Sequence, residues 1–317
     1  MNRNSSTSGK IASAITRSAS KQTYYTILLL ADHDRLQDAF RAYGYFRWLD
    51  DILDATDATS LQRNALLKRQ QSILEACYLD KMPSDLSAEE GMLADLVRHD
   101  HEKDSGLQVY LRNMMDVMAF DVRRRGQTIP QAELVEYSRH LAVAVTEALY
   151  YFIGHNDPSP RHEARYSAVT AAHIVHMLRD TVEDAQAGYF NIPAEVLECR
   201  GISAIDVNSE AFRQWVCSRV QLARQYFRQA RQCTAVVRNW RCRLAGFAYT
   251  ARFEWMLGAI EQDHYCLRCS YPARKSLRAG LWMTWSTLKA LFVLPALNFL
   301  PPKLATQPVQ AKTDGST

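Results

Sequence analysis

The sequence predicts an all-α fold, one domain of about eight or more helices, and three observations carry that expectation. Only 12 Gly and 10 Pro among 317 residues leave little material for the tight turns of a many-stranded protein. Apolar residues recur at steps of three and four over long windows, while no alternating strand run and no repeat of 20–50 residues is evident. A composition 47% hydrophobic and 23% charged is that of an ordinary globular protein and excludes disorder or a collagen-like architecture for the bulk of the chain.

Residues 1–17 are Ser-rich and read as a disordered lead, without the apolar segment and cleavage site of a secretory signal. Helical patterning begins near Tyr24, and over 32–54 Leu36, Phe40, Tyr43, Arg47, Asp50 and Asp54 fall on one face that starts apolar and ends charged. Further helices are expected at 60–78, 88–100, 106–124, 131–153, 163–186, 209–233 and 238–264, with loops at Lys81–Ser87, His155–Pro160 and Asn191–Asn208. Arg123, Arg124 and Arg125 read as a solvated helix end. Residues 279–300 form an apolar tail whose one charge is Lys289. It suits a membrane-interfacial helix, a terminal helix packed on the domain or a span, and residues 301–317 read as a disordered tail.

Charge is segregated along the chain. Residues 1–31 carry four basic and no acidic groups, residues 264–317 carry seven basic groups against Asp314, and the body between them is net acidic. Basic ends on an acidic body, with Arg274, Lys275 and Arg278 beside the apolar tail, suit an anionic membrane surface better than nucleic acid. A cytoplasmic protein held peripherally at the membrane is the expectation. Seven scattered Cys argue for a reducing compartment rather than a disulfide framework, and Cys266-x-x-Cys269 is half a zinc site without a second pair.

Two aspartate-rich segments carry the chemistry. In Phe46-Arg47-Trp48-Leu49-Asp50-Asp51-Ile52-Leu53-Asp54, Asp50 and Asp54 stack one turn apart, as do Asp180 and Asp184 in Leu178-Arg179-Asp180-Thr181-Val182-Glu183-Asp184. Stacked like charges destabilise a helix, so each pair is either a solvated face or a seat for a cation. Oxygen donors suit Mg²⁺, which takes one or two carboxylates together with substrate phosphates. The same stripe on the second helix continues back through His176 and His173, whose neutral rings suit hydrogen bonding to a carboxylate better than ligation of a hard ion.

These residues resemble the squalene/phytoene synthase family over roughly 18–285. The stretch Ser20-Lys21, Tyr24-Tyr25, Ala42-Tyr43, Arg47 and Asp50 to Asp54 is similar to the family's first signature. Met177 to Asp184 with Gly188 and Ile192-Pro193 is similar to its second, and Ala259-Ile260-Glu261 with Tyr265 resembles its closing helix. The resemblance implies an isoprenoid synthase helical bundle around a central cavity, in a domain at 18–278, that joins two prenyl diphosphates head to head through a cyclopropylcarbinyl diphosphate. It implies Asp50, Asp54, Asp180 and Asp184 as Mg²⁺ ligands, Lys21, Arg47 and Arg179 as diphosphate partners, Tyr137 as a catalytic cavity tyrosine, and Tyr43, Leu141 and Val145 as liners of the tail channel. Tyr137, Leu141, Val145 and Ala148 also share one helix stripe, which by itself reads as core.

The chain departs from the family pattern at His173 and His176, where the family has Gln and Asn, and at Val143 and Thr146, where it has glycines. Tyr189 and Asn191 replace an Arg and a Tyr, and Phe253-Glu254 follows Arg252 where the family reads Arg-x-Tyr. Val143 and Thr146 are expected to narrow or reshape the cavity, and His176 joins the substrate-binding set. The departures open a second reading, a terpene synthase that ionises a single prenyl diphosphate, and a third, a non-catalytic scaffold, against which the intact aspartate pairs argue. No Gly-rich dinucleotide fingerprint supports NADPH, although the family's reductive members lack one too, so its absence decides nothing.

Overall fold

The computed structural model describes residues 3–297, except 56–57, 156, 158–161, 203–205 and 273–275. Among the described residues there are twelve α-helices and no strand: α1 (Arg3–Ala19), α2 (Lys21–Leu30), α3 (Leu36–Leu53), α4 (Ser60–Tyr78), α5 (Glu90–His99), α6 (Gly106–Arg124), α7 (Gln131–Phe152), α8 (Ser167–Gln186), α9 (Ala194–Arg200), α10 (Glu210–Ala235), α11 (Trp240–Gln262) and α12 (Leu277–Leu297). Their starts are written in the sequence. Ser20, Ser105 and Ser209 each accept a hydrogen bond from the backbone N–H three residues on, Asn239 caps α11, and Thr59 and Gln62 form a reciprocal capping box on α4.

Two apolar clusters hold the bundle. One is built from α1 and α3–α7 around Tyr45, Leu49, Met92, Leu96 and Leu111; the other from α8–α11 around Leu178, Phe212, Phe227 and Leu257. All of these side chains are buried to 1% exposure or less, so the interior is closed in the way that makes single-residue truncations costly.

Three expectations change. The lead is helical from Arg3: α1 buries Ala12 and Thr16 against α3, and Ser8 accepts from Arg41 (2.9 Å) and donates to Asp95 (2.6 Å). The crossing is close because α3 presents Gly44 there, where a Cβ would lie 3.0 Å from the Ala12 Cα. The stretch 191–208 holds the short helix α9, started after Pro193 and ended at Gly201 with φ +58°.

The apolar tail is helix α12, which buries Ala279 and Ala290 and meets α10 where Arg231 reaches Ser286 at 3.4 Å. Its other side, Leu277, Leu281, Trp285, Leu288 and Phe292, faces solvent. No helix among the described residues is long and apolar enough to cross a membrane. Arg274, Lys275 and the tail 301–317 lie outside the described residues.

Candidate active site

The first aspartate pair lies on the last turns of α3 and the second on the last turns of α8, and side chains from α6 and from the segment after α8 bring them together. Tyr189 donates to Asp54 at 3.0 Å. From the other side, Asn191 donates to Asp184 at 2.6 Å and accepts from Arg124 at 2.9 Å; Arg124 in turn donates to Asp121 at 2.7 Å, and Tyr137 donates to Asp121 at 3.1 Å. Both motifs therefore attach to one polar network centred on the buried Arg124, which stacks over the Tyr137 and Tyr189 rings. Arg124 is buried, not part of a solvated helix end; Arg123, paired with Glu133, is the solvated one.

The carboxylates carry more negative charge than the protein neutralises. Burial and Asp54 push Asp50 up to about 6 against the opposing pull of Arg47. Burial also raises Asp184 to about 6, with Asp180 adding to it while Asn191 opposes. Burial raises Asp180 as well, but His176 and Arg179 outweigh it and hold that carboxyl at about 2. Arg47 pairs with Asp50 (3.3 Å) and Asp51, and Arg179 chelates Asp180.

No group of three or more His, Cys, Asp or Glu among the described residues is placed to ring one ion. What is present is a set of oxygen-only pairs whose charge is incompletely compensated. That set fits Mg²⁺ bound by one or two carboxylates with the remaining positions left to phosphate oxygens.

Beside these pairs runs an apolar cavity of about 370 Å³, walled by α2, α3, α7 and α11, with Tyr43 and Val145 in its lining. Leu141 packs on the core but does not line it, and neither do Val143 and Thr146, so the bulk at those two positions does not narrow this cavity. Gln22 and Arg252 are shared with a smaller cavity of about 170 Å³ that carries Arg179 and Phe253, which links the apolar space to the second motif. Lys21 is exposed on the first turn of α2, next to Gln22.

His176 rests on Phe253 with ring centroids 4.9 Å apart and its Nδ1 3.8 Å from Asp180, and burial pulls its pKa below the ordinary imidazole value. His173 is fully inside, bonded to Ser138 at 3.0 Å rather than to a carboxylate, and burial takes its pKa to about 3. Tyr137 is buried between Phe120 and His173, its hydroxyl held by Asp121. Glu254 faces Arg231, away from the cavities.

Asp121, Arg124, Tyr189 and Asn191 were not legible as site residues. The signals present were the spacing of Asp121 and Arg124, one turn apart at the end of a helix, and the departure of Tyr189 and Asn191 from the family pattern.

A family model described as squalene/phytoene synthase matches residues 16–279. The chain is 24% identical over 284 residues to phytoene synthase 3, chloroplastic, of Zea mays, a match covering 81% of this chain and 61% of that protein. It is 26% identical over 186 residues to the presqualene diphosphate synthase of Rhodopseudomonas palustris, covering 58% of this chain and 62% of the relative. The chain thus spans about three fifths of the length of the curated relatives it matches. Among solved structures, squalene synthase HpnC from Alicyclobacillus acidocaldarius superposes with a TM-score of 0.69 at 18% identity, over 84% of this chain and 98% of that one. A dehydrosqualene synthase does so with a TM-score of 0.68 at 15% identity, over 90% and 96%. A helical bundle with two aspartate pairs joined through one polar network, matched by one family model over most of its length, leaves one assignment: the chain belongs to the squalene/phytoene synthase family.

Proposed function

We propose that the chain is a Mg²⁺-dependent prenyltransferase that condenses two prenyl diphosphates, farnesyl or geranylgeranyl, head to head into a squalene- or phytoene-like product. The observation that carries this reading is the attachment of both aspartate pairs to one network beside an apolar cavity. Asp50, Asp54, Asp180 and Asp184 would hold the metal, whose chemistry is to neutralise charge on the departing diphosphate. Arg47 and Arg179, paired with Asp50 and Asp180, would add positive charge to the same oxygens.

In the first step a C–O bond breaks and its electron pair leaves with diphosphate. The double bond of the second chain attacks the allylic cation and a proton is lost, closing the cyclopropane. A second ionisation sends the other diphosphate off with the C–O electron pair, and the rearranged linear cation loses a proton to give a phytoene- or dehydrosqualene-like product, whereas a squalene-like product would require a hydride from a donor such as NADPH. Tyr43, Val145, Leu149 and Phe152 line an apolar wall that holds a chain in reacting geometry and excludes water from the cation. Lys21 and His176 are assigned to the diphosphate at the cavity rim, and Tyr137 acts from the network through Asp121.

One observation favours a second reading. Tyr189 stands where the family has an arginine, and it gives Asp54 a neutral donor instead of a cation that would hold a second diphosphate. A terpene synthase acting on one prenyl diphosphate would tolerate that loss. Incubating the purified protein and Mg²⁺ with farnesyl or geranylgeranyl diphosphate separates the readings by mass. A product carrying both chains supports the first, a product of one chain the second, and absence of diphosphate release refutes both.

The exposed stripe Leu281, Trp285, Leu288 and Phe292 on α12 supports peripheral contact with an anionic membrane surface, into which an apolar product could be released.

A further inference from the structure

A second groove, of about 610 Å³, opens between α7, α8 and α10 and reaches Asn191 of the polar network at one end. Its size is that of a small-molecule site. Leu134, Ile174 and Leu222 give it an apolar floor. Arg219, Leu222, Tyr226 and Gln229 enter from α10 at steps of three and four, so one face of that helix lines it.

Arg219 is the anomaly. On the same helix Arg213 pairs with Glu210, Arg224 with Glu261 and Arg231 with Glu254. Arg219 is partly buried in the groove wall and, among the described residues, meets no carboxylate and no hydrogen-bond acceptor. Glu163, the acidic residue in the lining, is exposed at the rim and is not within ion-pair reach of it. A guanidinium stays charged, and one half-buried beside an apolar floor without a counter-charge offers its donors to a bound anion. Burial pulls its pKa down, and Tyr226 opposes this only in part. Gln229 accepts from Ser167 through its carbonyl oxygen at 3.2 Å, which leaves its NH₂ to donate.

From this geometry we propose that the groove, whose lining includes none of the four motif aspartates, is a second ligand site for a single-chain amphiphile with a phosphate head group. The hydrocarbon lies on the Leu134, Ile174 and Leu222 floor, and the phosphate oxygens take the Arg219 guanidinium and the Tyr226 hydroxyl. The guanidinium fork can take two phosphate oxygens and the hydroxyl a third, which suits a phosphate better than a two-oxygen carboxylate. Such a ligand could come from the prenyl phosphate pool or from a lysophospholipid.

The full chain is labelled with phenylglyoxal and modification of Arg219 is read by peptide mass. Dodecyl phosphate should protect Arg219, and dodecanol or inorganic phosphate at the same concentration should not. Equal protection by inorganic phosphate, or none by dodecyl phosphate, overturns the proposal. In calorimetric titration Arg219→Gln should weaken dodecyl phosphate binding about tenfold or more, while Asp50→Asn leaves it unchanged; the reverse pattern places the ligand in the aspartate site and overturns the proposal. Arg219→Gln removes an uncompensated charge, so its melting temperature should hold or rise. The labelling of the unaltered protein decides the matter independently of that variant. Geranyl phosphate and lysophosphatidic acid form the last pair of arms: protection by either supports the shared chemistry, the tighter one names the source, and protection by neither counts against it.

Discussion

Replacing Arg124 with Met tests whether the buried network, rather than the aspartate helices alone, holds the site together. Met keeps much of the apolar stem and removes the guanidinium that joins Asp121 to Asn191. Asp121 is then left with the Tyr137 hydroxyl as its hydrogen-bond donor, in surroundings that already raise its pKa through burial. Breaking a buried ion pair from one side costs about 3–5 kcal/mol, because the remaining charge is uncompensated. At roughly 2 °C per kcal/mol, the low end for long chains, the melting temperature should fall by about 6–10 °C.

The sign of the pH dependence follows from Asp121. Its folded-state pKa is already raised and rises further without Arg124, so the protonated form is favoured in the folded variant. The stability deficit is therefore largest at neutral pH and shrinks as pH falls through the raised folded value towards the ordinary carboxylate value of about 3.9. Adding Asp121→Asn should recover most of the loss, since it removes the stranded charge. Differential scanning fluorimetry of the two single variants and the double variant between pH 4.5 and 8 measures this. A single variant that loses less than about 1 kcal/mol, or a double variant no better than the single, would refute the network argument.

Asp50→Asn or Asp180→Asn should abolish turnover at saturating Mg²⁺ with helix content unchanged by circular dichroism, and a variant retaining a substantial share of the rate would remove that carboxylate from the metal set. Glu90, held by Arg69 at 2.7 and 2.9 Å and by Gln70 and Ser87, has its pKa lowered to about 2. Against an unfolded value of about 4.3, its contribution of up to about 3 kcal/mol is full above that pH and is lost as pH falls through 2, so Glu90→Gln should destabilise at pH 7 and converge on the parent in acid denaturation. Leu281→Ser with Trp285→Ser leaves the packed face of α12 intact and should reduce cosedimentation with anionic vesicles at low salt; unaltered binding would sink the membrane role. Deleting the whole helix is a poorer test, because its Ala290 packs in one cluster with Phe247 and Ala235.

The sequence by itself determined the helical class and most helix bounds, because three- and four-residue periodicity and the Ser, Thr and Asn caps are local signals. It also determined the two aspartate pairs, since stacking at i and i+4 is a property of one helix. Tertiary structure decided the rest. The lead reads as disordered by composition, yet it is a helix, because Ala12 and Gly44 are small where α1 crosses α3, a fit invisible until both helices are present. Asp121, Arg124, Tyr189 and Asn191 become a site only through hydrogen bonds spanning 67 residues between Arg124 and Asn191 and 135 between Tyr189 and Asp54. Arg219 looks in the sequence like any other arginine on an amphipathic helix. What sets it apart is that the fold withdraws it into a groove and gives it no counter-charge, and burial and pairing are properties of packed helices rather than of their spelling.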